Sequence, residues 1–459
     1  MIQRELLTEA LHTAMSSGAD FAEIYAERTK TNQVSMIDRR VEQVTDALLS
    51  GVGIRVFKGL RCVNASTTDL TRSGLIACAK RVADALGEGK EEVSIHLNER
   101  RFGDIHPIRI VPATALKQVK IDLVKEASDA AFAQGDRISQ VAATLLDVDH
   151  EILIANSDGL LTSDRQIRTR MAVQAVASKP GENQTGSCSP GRRMGLELFE
   201  MIPPRSIGEK AACQALTMLD AEYCKAGTKT VAIENGFGGV IFHEACGHSL
   251  EATSVAINAS QFAGKLGQQI ANEKVTAVDD GTIPNAWGSI NIDDEGTPSA
   301  RNVLIENGIL KSYMIDKLNG RRMGMAPTGN SRRQGYSFAP TSRMTNTFIE
   351  NGPDKNEGII ASIEDGLYAK QMGGGSVNPL TGAFNFAVTE GYIIRNGKIC
   401  EPIRGASLVG NGKEILMNID MVGQNLETAQ GMCGSSSGSI PTDVGQPLIR
   451  VSSITVGGR

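Results

Sequence analysis

The chain has 459 residues, eight cysteines and a formal net charge of −5 at pH 7, with acidic and basic residues interspersed. This pattern leaves no basic stripe for direct binding to nucleic acid, and no run of about eighteen apolar residues to span a membrane. The polar opening, with Glu5 early in it, is unlike a signal peptide, and no cysteine belongs to a C-x-x-C pair, so a soluble cytoplasmic protein with free thiols is expected.

Helical periodicity predicts helices over residues 4–17, 70–86, 115–133 and 206–219. Alternation of apolar and polar residues predicts strands over 21–27 and 141–146, each with one wet face. Two loosely similar stretches, 50–56 and 156–161, each read as a hairpin followed later by a helix, without amounting to a sequence repeat. Together these elements make an N-terminal α/β-layered domain over residues 1–225.

The composition changes near Ala226-Gly227-Thr228, after which about two thirds of the 49 glycines fall. Short strand-like runs punctuated by Gly and Pro predict a mainly β domain over residues 226–459. The fold class expected is therefore α+β in two domains. Asn307-Gly308 and Asn396-Gly397 lie between alternating segments and predict tight hairpin turns. Gly373-Gly374-Gly375 lacks the pattern of a phosphate loop, and reads as a turn or as bare backbone that an extended substrate can approach.

Near the start of this second domain, His243-Glu244-Ala245-Cys246-Gly247-His248 concentrates two of the chain's six histidines around a glutamate. Two imidazoles and a carboxylate on one segment are the parts of a metal-assisted hydrolase. Histidines at i and i+5 lie roughly 140° apart on a regular α-helix, too far round to share one ion comfortably. Either the helix ends or bends near Gly247, or an extra residue is absorbed as a π-bulge, with Gly247 the permissive position. The bland alternative is a helix carrying one buried and one solvated histidine. Two histidines also leave a zinc ion short of a third protein ligand, which a cysteine can supply. Cys246, three residues after His243 and on the same face, either touches the ion or packs inward as a small hydrophobe.

The run from Gly239 to Glu251 around this motif resembles the signature of the TldD/PmbA peptidases. Val275-Thr276-Ala277-Val278-Asp279-Asp280-Gly281-Thr282, Arg343-Met344-Thr345-Asn346-Thr347, and Gly431-Met432-Cys433-Gly434 followed by Val444-Gly445-Gln446-Pro447 are similar to later runs of that family. The region 51–56 fits its first domain. The family has active subunits that keep the metal motif and paralogues in which it is degraded. With His243, Glu244, His248 and Cys433 all present, this chain resembles the active kind. The resemblance implies a zinc metallopeptidase of unfolded or small peptides, with His243, His248 and Cys433 as ligands. It also implies a homodimer or a heterodimer with an inactive paralogue. It thereby favours Cys433 over Cys246 as the thiolate.

Glu244 is the expected general base, taking a proton from the attacking water and handing it to the leaving amine. Glu251 either receives an imidazole N–H or is a solvated surface acid. Arg332, Arg333 and Tyr336 lie in a polar segment that reaches the cleft or stays in solvent. His12, His96, His106 and His150 have no partner pattern, and Cys400 reads as a structural strand residue. The rival to an enzyme is a non-catalytic regulatory or scaffold subunit of a TldD/PmbA-type complex, which would have no chemical need for an intact Glu244.

Overall fold

Long antiparallel hairpins organise the first half of the chain. The structure, a computed structural model, describes residues 2–87, 89, 94–378 and 380–459. The first sheet contains β1 (Phe21–Ile37), β2 (Arg40–Lys58), β3 (Arg61–Thr67), β4 (Asn98–Glu99), β5 (Ile138–Asn156), β6 (Leu160–Lys179), β7 (Glu182–Cys188) and β8 (Gly191–Arg192). Its order is β3-β2-β1-β5-β6-β4, with β7 and β8 also paired to β6. Helices α1 (Arg4–Met15), α2 (Arg72–Leu86) and α3 (Lys117–Phe132), and a later helix Pro204–Asp220, form where the periodicity places them. The side chain of Thr71 caps α2 by accepting from the Gly74 amide.

One face of this sheet is covered by all four helices. Ala22 and Ile24 of β1 pack with α1 and α2, while Val34 and Met36 further along pack with α3 and the Pro204–Asp220 helix. The opposite face meets the second half of the chain, which corrects the expectation of a wet face over residues 21–27. Glu23 and Glu27 look like solvent-facing residues of a half-buried strand, yet both are buried. Glu23 is paired with Arg55 and with Arg333, and Glu27 with His150. Arg333 also lies 4.3 Å from the centre of the Tyr25 ring. Residues 141–146 alternate as expected between buried and half-buried positions.

Residues 50–56 lie in the latter part of β2, where residues 52–56 pair antiparallel with β3 as one arm of a hairpin that α2 follows. Their glycines have a packing reason: a Cβ on Gly51 would sit 2.5 Å from the Tyr336 ring, and one on Gly53 would sit 2.3 Å from the Tyr336 carbonyl. The Tyr336 loop from the second half thus lies flat against β2. Residues 156–161 do form the turn between β5 and β6.

Among the described residues, an eight-stranded sheet, seven of whose strands come from the second half and one, Glu222–Tyr223, from just before it, and a six-stranded sheet pack around one large apolar core. Both Asn-Gly pairs make tight hairpin turns with left-handed backbone, at φ 48° and 79° for Asn307-Gly308 and 49° and 71° for Asn396-Gly397. Gly373 to Gly375 lie within the strand Asp365–Val377, where its register against Ala383–Arg395 slips, rather than in a turn. The six-stranded sheet runs Ile309–Leu310, Arg301–Glu306, Ala277–Asp280, Asn346–Ile349, Gly438–Gln446, Glu427–Ser435. Glu427–Ser435 is one edge strand and Ile309–Leu310 the other. No helix among the described residues is long and apolar enough to cross a membrane.

Candidate metal centre

A continuous helical segment enters the core as a 3-10 turn at Gly236–Gly239 and continues as α-helix over Val240–Phe242. It widens to a π-turn over His243–Gly247, then tightens to 3-10 at His248–Leu250. Ile241, Phe242, Ala245, Cys246 and Leu250 anchor it in the apolar core. The π-turn is closed by the His248 amide donating to the His243 carbonyl, so the extra residue in the motif is absorbed and both imidazoles come to one side. Gly247 itself has ordinary helical angles, φ −54° and ψ −52°. Its role is spatial, because a Cβ there would lie 2.3 Å from the Met344 sulfur.

Two contacts fix this segment and the residues just before it against Gly438–Gln446, the strand that neighbours the one carrying Cys433. Gly239 lies on the backbone of Gly445, where a Cβ would come within 2.4 Å of its atoms, and Gln446 donates to the carbonyls of Ile233 and Glu234. Strand Gly438–Gln446 then pairs with Glu427–Ser435, with Cys433 opposite Ile440. Deeper in the sheet, the Asp279 carboxylate receives the Thr345 amide, both the Thr345 and Thr347 hydroxyls, and the Asn330 amide group. The runs 275–282 and 343–347 are therefore one hydrogen-bonded frame beneath the site.

The structure brings His243, His248 and Cys433 together, with their donor atoms all within 4.8 Å of one another. Cys433 Sγ lies 3.3 Å from His243 Nε2 and 3.3 Å from His248 Nε2. The rings are edge to face, 5.2 Å between centres. All three residues are buried. Burial opposes ionisation of Cys433, but His243 and then His248 beside it bring the thiol down to about 3. Desolvation likewise opposes charge on His248, and Glu251 and Cys433 overcome it and raise its pKa. The thiolate is the sulfur donor a metal requires, and a metal bound there would replace protons on the imidazoles, which ligate in their neutral form. The spacing also suits zinc, because about 2.0–2.3 Å bonds in a tetrahedron put neighbouring donors about 3.3–3.8 Å apart.

Glu244 Oε2 is 3.7 Å from His248 Nε2, and its side chain is 23% exposed, so it stands at the solvent side of the cluster. Glu251 is not a solvated acid: it is buried, and its Oε1 lies 3.2 Å from His248 Nδ1. His243 Nδ1 has no corresponding acceptor among the described residues. Cys246 faces the core instead, with its sulfur 3.8 Å from the Gly412 carbonyl and its thiol pushed up by burial. Arg332 donates to the carbonyls of Met344 and Pro441, and Arg333 and Tyr336 pack on the first sheet, so this segment supports the site rather than lining an open cleft. Arg343, buried beside Cys433, has no periodicity or spacing in the sequence that marks it out.

The description PmbA/TldA metallopeptidase fits three stretches of the chain: a first domain over residues 22–86, a central domain over 112–219 and a C-terminal domain over 226–458. The metalloprotease TldD homolog of Haemophilus influenzae is 36% identical over 451 residues, covering 96% of this chain and 93% of that one. The zinc metalloprotease TldD homolog of Saccharolobus solfataricus is 26% identical, covering 96% and 97%. The fold is shared with TldE from Thermococcus kodakarensis, at a TM-score of 0.79, 20% identity and 99% coverage of both chains. From the matched domains and the identity sustained along the chain, this protein belongs to the TldD/PmbA family of metallopeptidases.

Proposed function

We propose that the chain is a zinc-dependent peptidase that hydrolyses unfolded or small peptides with water as the nucleophile. The observation that carries this reading is the convergence of His243, His248 and Cys433 with Glu244 at their solvent side. Zinc is favoured by the two-nitrogen, one-sulfur donor set and by the name of the Saccharolobus solfataricus relative. A zinc ion held there would supply Lewis acidity to the scissile carbonyl and lower the pKa of water.

The remaining chemistry belongs to the chain. Glu244 accepts the proton of the attacking water and delivers it to the leaving amine, so no covalent intermediate forms. Glu251 takes the Nδ1–H of His248, which leaves Nε2 as the donor facing the cluster. An extended peptide adds to the outer edge of Glu427–Ser435, where main-chain hydrogen bonds give affinity with little side-chain preference. The protein works in the cytoplasm as a dimer, with itself or with an inactive paralogue.

The test is elemental analysis of the purified protein beside cleavage of a flexible peptide. About one zinc per chain is expected, with cleavage that a chelator abolishes. Zinc without cleavage favours the regulatory-subunit reading or a missing partner, and absence of both sinks the proposal.

A further inference from the structure

Arg343 is fully buried, and its guanidinium grips the hairpin that carries Cys433. Nη2 donates to the Cys433 carbonyl at 2.6 Å, while Nη1 donates to Ser437 Oγ at 2.9 Å and to the Gly438 carbonyl at 3.0 Å. Both strands of the hairpin are thus held by one planar fork. The third nitrogen, Nε, has no hydrogen-bond partner among the described residues and lies 3.8 Å from Glu251 Oε1. That same oxygen faces His248 Nδ1 at 3.2 Å. The path from Cys433 through Arg343 and Glu251 to His248 joins two donor segments 185 residues apart in sequence.

We infer that Arg343 is a positioning residue for the metal centre, one that fixes the Cys433 strand relative to the Glu251–His248 pair; this rests on the metal reading above. The need for it follows from topology. Cys433 sits near the end of an edge strand of the sheet, which among the described residues has one strand neighbour to hold it. A buried guanidinium that satisfies three acceptors on the hairpin supplies the missing restraint, and the nearby Glu251 carboxylate offsets its charge. Arg332 is an internal comparison: it is also buried and also bonds the hairpin, through the Pro441 carbonyl, but its guanidinium donates to the Met344 and Pro441 carbonyls rather than to Cys433 or Glu251.

The experiment measures zinc affinity by chelator competition, and the thiolate-to-metal absorption of the cobalt-substituted protein, in wild type, Arg343→Lys and Arg332→Lys. Lysine keeps the charge but not the fork. Arg343→Lys should lose about tenfold or more in zinc affinity, as outer partners of metal ligands do, and shift the thiolate band. Arg332→Lys should stay within about threefold. Wild-type affinity and spectrum in Arg343→Lys overturn the inference, and so does an equal loss in both variants, which would assign the effect to hairpin packing in general. If Arg343→Lys does not fold, Ser437→Ala decides: it removes one acceptor of the fork, and a weakened site supports the inference while an unchanged one overturns it. A wild-type chain that takes up neither zinc nor cobalt fails the metal reading itself, before any variant is compared, and the inference falls with it.

Discussion

The amide of His248 donates to the carbonyl of His243, five residues earlier, and this one backbone bond puts the two imidazoles on the same side of the helical segment. On a regular α-helix the pair would diverge by roughly 140°. The wider turn brings both Nε2 atoms to 3.3 Å from the Cys433 sulfur. Gly247 closes that turn because Met344 occupies the space a side chain would need.

The substitution Gly247→Ala should therefore strain the turn rather than alter its backbone angles. A methyl inserted 2.3 Å from the Met344 sulfur should cost about 1–3 kcal/mol, read as a lower urea midpoint with unchanged slope. On a Met344→Ala background the same change should cost less, since the two sites are in contact. Additive costs would show that the Met344 contact is not the reason for glycine here.

Cys433→Ala should lose most of the zinc, whereas Cys246→Ala should retain it. Only the Cys433 sulfur lies within the cluster, and the Cys246 sulfur faces the Gly412 carbonyl in the apolar core. Metal content of the two purified variants decides the matter, and the reverse outcome would assign the ligand to the wrong thiol.

Glu244→Gln should keep its fold and its zinc yet cleave peptides on the order of a hundredfold more slowly, as expected when a positioned general base is removed. The side chain stands 3.7 Å from His248 Nε2 and is partly exposed at the solvent side of the cluster. Cleavage at the parental rate would mean that another group moves the proton.

Much of this was legible from one chain. The helices, the Asn-Gly hairpins and the unusual spacing of His243 and His248 are local features, and local chemistry determines them. What lay hidden depends on partners far along the sequence. Glu23 and Glu27 read as solvent-facing because the residues they meet, Arg55 and Arg333 for Glu23 and His150 for Glu27, are distant in the chain. Cys433 could be singled out only through family resemblance, since nothing in its own sequence surroundings announces that it meets His248, 185 residues away. Arg343 and Gly247 take their meaning from contacts that no periodicity reveals.

His106 gives the fold an acid sensitivity of its own. Its Nδ1 accepts the Asn285 amide at 2.9 Å, and burial first, then the charge of Arg193, holds its pKa down to about 3. The unfolded chain takes up this proton near pH 6.5, at about the ordinary histidine value, while the fold refuses it. Its contribution to stability is therefore fully present above about pH 6.5 and is lost as pH falls toward about 3. His106→Gln keeps an acceptor for the amide and cannot titrate, so its urea midpoint should fall less between about pH 7 and pH 4 than the parent's. Identical pH dependence in the two proteins would refute this account.

The final prediction concerns what the site admits. His243, Cys433 and His248 are 2%, 4% and 9% exposed, and Glu244 alone among the four reaches appreciably toward solvent. A peptide bond must come to donors that lie almost beneath the surface, next to an edge strand of a sheet, so the substrate must be extended and unpaired along its backbone. A folded protein offers such a segment only by local opening. Flexible peptides should be cut readily, stably folded proteins should resist, and one small protein should become a substrate in proportion to its destabilisation. Incubating the zinc-loaded chain with folded and destabilised variants of a single small protein, and following intact mass, checks this. Equal cleavage of both would show that the site is open enough to take folded chains, and would sink the restriction argued here from burial.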